Sequence, residues 1–343
     1  MFALTSIADG SQVYENCKSA GLPWSIVTSS APNASLAAVF AGFMMTAIAF
    51  LLRREDPANP SEKTATIKTH TLALFGSGVL ILGLDAYLFG NIGAMAPIVD
   101  QSRVVPSDRA YPCAVAWTQA MPASSMLAIG GCLMIAGLAW MLTQYFTSAS
   151  DAISNGAIFA LPAFLVWIVI GTSSLLLART GLIYLRVMEE QFSMHTPLEA
   201  IKSITWHLWI AFVFITGWII FKRTRGVMAS ARRKEMLDPD SDWKALATAA
   251  FLTATLAATG PVFASFVGEH GPLIHEDTGV PTLWSVYLAF AFATLPVGII
   301  MSPIALSVPA TKRPGQSADG PESASAPPKE DPTAPETPHR QVE

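Results

Sequence analysis

The chain has 343 residues, 52% of them hydrophobic and only 13% charged. A soluble globular domain is about a quarter charged, so this composition describes a surface made largely for lipid rather than water. The net charge of -4 is small and gives no basis for nucleic-acid binding.

Met1–Ser30 has no basic start followed by an apolar stretch, so it does not read as a cleaved signal peptide. Residues 1–33 are expected to form an exported N-terminal segment. Seven apolar stretches follow: Ala34–Leu52, Thr69–Gly90, Met121–Tyr145, Ile153–Leu177, Ile204–Phe221, Ala245–Val267 and Leu283–Ile304. Each approaches the roughly 20 residues that cross a bilayer core. Within lipid every backbone polar group must be satisfied inside its own segment, which predicts helices. The predicted fold class is an all-α membrane protein, a bundle of seven transmembrane helices over residues 34–309. Ala310–Glu343 is rich in Pro, Ser, Ala and Glu and nearly free of large apolar residues, so a disordered cytoplasmic tail is expected over 310–343.

The loops give the orientation. Arg53, Arg54, Lys63 and Lys68 lie between the first two stretches, and Lys222 to Lys244 supplies seven more basic residues between the fifth and sixth. With the N-terminus outside and the C-terminus in the cytoplasm, 15 of the 21 Lys and Arg residues fall inside and six outside. That bias is the one that orients membrane proteins. It predicts a multi-pass protein of the plasma membrane, with the lipid bilayer as its first partner and other membrane proteins as further ones. Tryptophans follow the same map. Trp117, Trp206, Trp209 and Trp284 are expected as anchors at the outer ends, and Trp140, Trp218 and Trp243 at the inner ends. Ala38 and Gly42, four residues apart, are expected to allow close helix contact within the bundle.

Two of the three cysteines, Cys17 and Cys113, fall in exported segments, where disulfides persist. A Cys17–Cys113 bond is predicted, stapling the N-terminal segment over the outer mouth. Cys132, inside the third stretch, reads as a small buried apolar residue.

Asp85 is the sharpest chemical candidate. An acid inside a span costs about 2.5–3.5 kcal/mol on insertion scales, so it should face the interior and have a partner. Arg179 and His207, at similar depth, are the expected partners. Tyr87, Asn91 and Thr172 are expected to complete a polar pocket open to the outside. A second candidate is the loop Glu269-His270-Gly271-Pro272-Leu273-Ile274-His275-Glu276-Asp277. With His195, its His270, His275, Glu269, Glu276 and Asp277 offer imidazole and carboxylate ligands for a divalent metal such as zinc. No other cofactor is indicated.

Several activities are excluded. The seventh stretch holds no Lys, so it offers no amine for a retinal Schiff base. Seven spans match the topology of G-protein-coupled receptors. The third stretch ends Thr143-Gln144-Tyr145 rather than Asp-Arg-Tyr, however, and the seventh lacks Asn-Pro-x-x-Tyr, so that family is not assigned. There is no Gly-rich phosphate loop, nucleophile elbow or Cys-x-x-Cys. The favoured reading is a non-enzymatic sensor, assembly factor or complex subunit with an outward-facing polar pocket. A small-solute or ion transporter using Asp85 is the alternative, followed by a metal-dependent enzyme at the outer surface.

Overall fold

A computed structural model of the protein describes residues 17, 25–53, 62–95, 106–148, 157–192, 197–232, 243–270 and 283–306. These residues are almost entirely helical. They form α1 (Ile26–Arg53), α2 (Glu62–Gly93), α3 (Pro106–Ser148), α4 (Ala157–Phe192), α5 (Leu198–Arg232), α6 (Trp243–His270) and α7 (Leu283–Leu306). All seven are long and apolar enough to cross a membrane, as the sequence predicts. The expected tail at 310–343 lies outside the described residues.

Hydroxyl side chains do not break these helices, because they turn back onto their own backbone. Thr46 donates to the Gly42 carbonyl at 3.0 Å, Ser77 to Ala73 at 2.8 Å, Thr172 to Ile168 at 2.9 Å and Thr253 to Ala249 at 2.7 Å. A hydroxyl satisfied this way costs little in lipid, so the Ser- and Thr-containing α4 spans as well as its neighbours do. Ser25 caps α1: its Oγ accepts from the Thr28 N–H at 3.4 Å and its carbonyl from the Ser29 N–H at 2.9 Å. Prolines interrupt the ladders of α1, α4, α6 and α7 at Pro32, Pro162, Pro261, Pro296 and Pro303.

Small residues set the crossings. α1 and α2 run antiparallel, with Met44 over Gly78 and Ala31 beside Gly93. α2 and α3 are antiparallel too, with Phe75 on Gly137 and Leu82 on Gly130. α3 is the central helix, touching α1, α2, α4, α6 and α7. Met126 covers Gly260 of α6, and Gln119 Nε2 donates to the Ala264 carbonyl at 2.8 Å. On its other side Thr118 and Tyr184 of α4 share a hydrogen bond of 3.2 Å. Phe290 and Thr294 of α7 pack on Gly181 of α4, and Phe263 of α6 stacks on Phe292 of α7 with centroids 4.6 Å apart. α5 lies at the rim, against α4 and, less, α7.

Four expectations change. The third span runs over Cys113–Ala139, earlier than expected, and the fourth over Ala160–Glu189, later. α1 begins at Ile26, inside the expected N-terminal segment. Ala38 and Gly42 are exposed, and nothing comes within 4 Å of a Cβ placed on Gly42. The face of α1 that packs inward instead carries Ala37, Met44, Ala47 and Leu51.

Candidate functional site

Asp85 lies on the inward stripe of α2, among Ile81, Leu82, Leu88, Phe89 and Ile92. Its exposure is 0%, and among the described residues neither carboxylate oxygen has a hydrogen-bond partner. Helix register fixes its level. Leu82, three residues earlier, packs on Gly130, and Met126, one turn on from Gly130, packs on Gly260. Asp85 therefore stands level with the α6 turn that ends in Pro261. Proline has no N–H, so the Ala257 carbonyl in that turn lacks its helical donor. A packed carboxyl and an interrupted helix thus share one level of the bundle.

The other five residues expected around Asp85 point elsewhere. Tyr87 is 63% exposed, and Asn91 follows it by one turn on the same outward face of α2. Thr172 and Arg179 share an exposed stripe of α4 with Leu161, Leu165 and Leu176. His207 is exposed on α5, its Nδ1 2.6 Å from the Ser203 carbonyl. The structure does not bring Arg179 or His207 to the carboxyl. For Tyr87 the reason is angular: it is two residues from Asp85, and two residues on a helix are about 200° apart.

The disulfide end is built as the cysteines suggest. Cys17 and Cys113 are bonded, with Cα atoms 5.1 Å apart, and both are buried. Cys17 has a positive φ of 49°, in the left-handed region. Its carbonyl accepts from Trp117 Nε1 at 3.3 Å. Trp117 is 0% exposed, which corrects its reading as an interfacial anchor: the indole holds the staple from below. Trp206 is half-buried and meets Trp209 edge-on at 5.6 Å, while Trp209 Nε1 donates to Ser174 Oγ at 3.1 Å. Trp284 and Trp218 are 73% and 66% exposed.

Sequence reasoning passed over a polar row on α3. Thr118, Ser125 and Cys132, seven residues apart, share the face toward α4. Thr118 meets Tyr184 and Cys132 meets Ser173, while the buried Ser125 Oγ has no partner among the described residues. The seven-residue repeat was the available signal, since it keeps residues on one seam between antiparallel helices. Clefts open among α4 to α7. One of about 570 Å³, at the disulfide end, lies between α4, α5 and α7 and includes Ser174, Thr205, Trp209 and Thr294. One of about 540 Å³ lies between α4 and α5 near Arg225. A smaller one of about 250 Å³ separates α6 from α7 at Pro296. Asp85 lines none of them.

The expected metal loop falls mostly outside the described residues: His195, His275, Glu276 and Asp277 are among those not described, and Glu269 and His270 are described in backbone only, at the end of α6. Among the described residues no group of three His, Cys, Asp or Glu side chains converges. No family, curated protein or solved structure matches this chain.

Proposed function

We propose that the protein is a sensor in the plasma membrane whose bundle responds to uptake of a proton or small cation at Asp85. One observation carries this reading: a fully buried carboxyl inside a helical bundle, with no hydrogen-bond partner among the described residues. Buried charges persist only when paired. Arg179 and His207 face away, and a mobile cation is the partner this reading supplies. Occupied, the site is neutral and α2 packs closely. Vacant, it carries an unpaired charge that favours loosening of α2 from its neighbours. The basic bias supports the N-out, C-in orientation, with the disulfide end outside.

A second reading, a cation-linked carrier, is favoured by the interrupted α6 turn at the level of Asp85, because carriers place ion sites at broken helices. One pair of experiments tests both. Wild-type protein in nanodiscs is titrated with protons, sodium and potassium while tryptophan fluorescence is followed, alongside Asp85→Asn. A response in the wild type that the variant lacks supports uptake at Asp85, and identical curves end both readings. Proteoliposomes holding a pH- or sodium-sensitive dye then separate them. Asp85-dependent flux identifies a carrier, and a response without flux a sensor.

A further inference from the structure

We propose that the α4–α5 cleft is a binding site for one anionic phospholipid, taken from the leaflet at the basic end of the bundle. The cleft holds about 540 Å³ and is walled by Ala163, Phe164, Trp167, Gly217 and Phe221, with Arg225 at its end. It exists because small residues meet a large one. Gly217 leaves α5 bare where the Trp167 indole crosses it, and Gly171, one turn along α4, stands against Val213.

Two polar groups of the walls are already satisfied. Trp167 Nε1 donates to the Val213 carbonyl at 3.2 Å, and Thr224 Oγ1 to Ile220 at 2.8 Å. The charged group in the lining is Arg225. Its guanidinium carbon sits 4.4 Å from the centroid of the Phe221 ring, which holds it along the cleft wall. Arg225 has no carboxylate within ion-pair distance among the described residues, and Lys222 lies three residues before it on the same exposed end of α5. An apolar slot with a cation at its mouth, at the depth of a headgroup, matches an acyl chain that ends in a phosphate.

Length and charge match a lipid. From Val213 to Arg225 is twelve residues, or about 18 Å along α5. That is close to one leaflet of the about 30 Å hydrocarbon core. Arg225 stands at the end of that length, where a headgroup phosphate would lie. The proposal stands apart from Asp85, which lies on another pair of helices.

The test is lipid retention measured by native mass spectrometry on detergent-purified full-length protein. The probes are phosphatidylglycerol and phosphatidylcholine with the same acyl chains. Wild type should retain one phosphatidylglycerol with a preference of about fivefold or more, the increment one basic residue supplies at an anionic surface. Arg225→Gln, at an exposed position that leaves the fold intact, should lose that preference while still retaining phosphatidylcholine. Lys202→Gln, at the far end of α5 and paired there with Glu199 at 3.5 Å, should keep it. Equal retention of the two lipids by wild type overturns the proposal. So does an unchanged preference in Arg225→Gln, or a co-purified polypeptide that blocks lipid from the cleft.

Discussion

α3 and α5 are both long, apolar helices of spanning length, yet 61% of the most apolar stretch of α3 is buried against 11% of that of α5. The difference lies in side-chain size. Toward its neighbours α3 presents Ala116, Ala120, Ala123, Gly130 and Gly137, and each lets another helix come close. α5 turns Phe214, Trp218 and Phe221 outward, each at least half exposed. In lipid such residues gain nothing by leaving the surface, because the tails are as apolar as they are. Hydropathy therefore says that a segment spans, and only the placement of small residues says where it sits.

That contrast can be broken from either side by thermal unfolding in a mild detergent. The largest effect is expected at the staple, where the Cys17–Cys113 bond closes a stretch of 96 residues onto α3. Cys17→Ser should destabilise by about 2–4 kcal/mol, and reductant should do the same to wild type. Gly130→Leu comes next. A side chain there meets Leu82, and overpacking of this kind costs about 1–3 kcal/mol. Gly42→Leu on the open face of α1 is its control and should change stability by less than about 0.5 kcal/mol. Trp167→Phe removes the hydrogen bond to Val213 and should cost about 0.5–1.5 kcal/mol. Smallest is Phe214→Leu on α5, 74% exposed, expected within about 0.5 kcal/mol of wild type. A cost for Phe214→Leu as large as that for Gly130→Leu would mean that α5 is covered by protein rather than lipid.

Much of this was legible in the sequence. Seven spans and the cysteine pair follow from hydropathy and from which loops share a compartment. The limits of α3 and α4 did not. Asp108 and Arg109 lower the apolarity of the start of α3, although the helix runs on through them to the packed Cys113–Met121 stretch. Arg179 looked like the end of a span. It lies on the exposed stripe of α4, however, so the opposite face continues as core through Tyr184, Leu185 and Met188. A linear count of apolar residues averages over faces, and here the faces differ. The same averaging grouped Asp85 with Arg179 and His207, because azimuth was not available without knowing which helices are neighbours. The partnerless state of Asp85 needed all of α1, α2, α3 and α6 in place.

Whether that carboxyl is a working site is most directly read by infrared difference spectroscopy of the protein in nanodiscs, stepping proton and sodium concentrations. Uptake at Asp85 predicts a carboxyl carbonyl band that changes with the step in wild type and is missing from Asp85→Asn. A band identical in the two proteins, or no change in wild type, would contradict it.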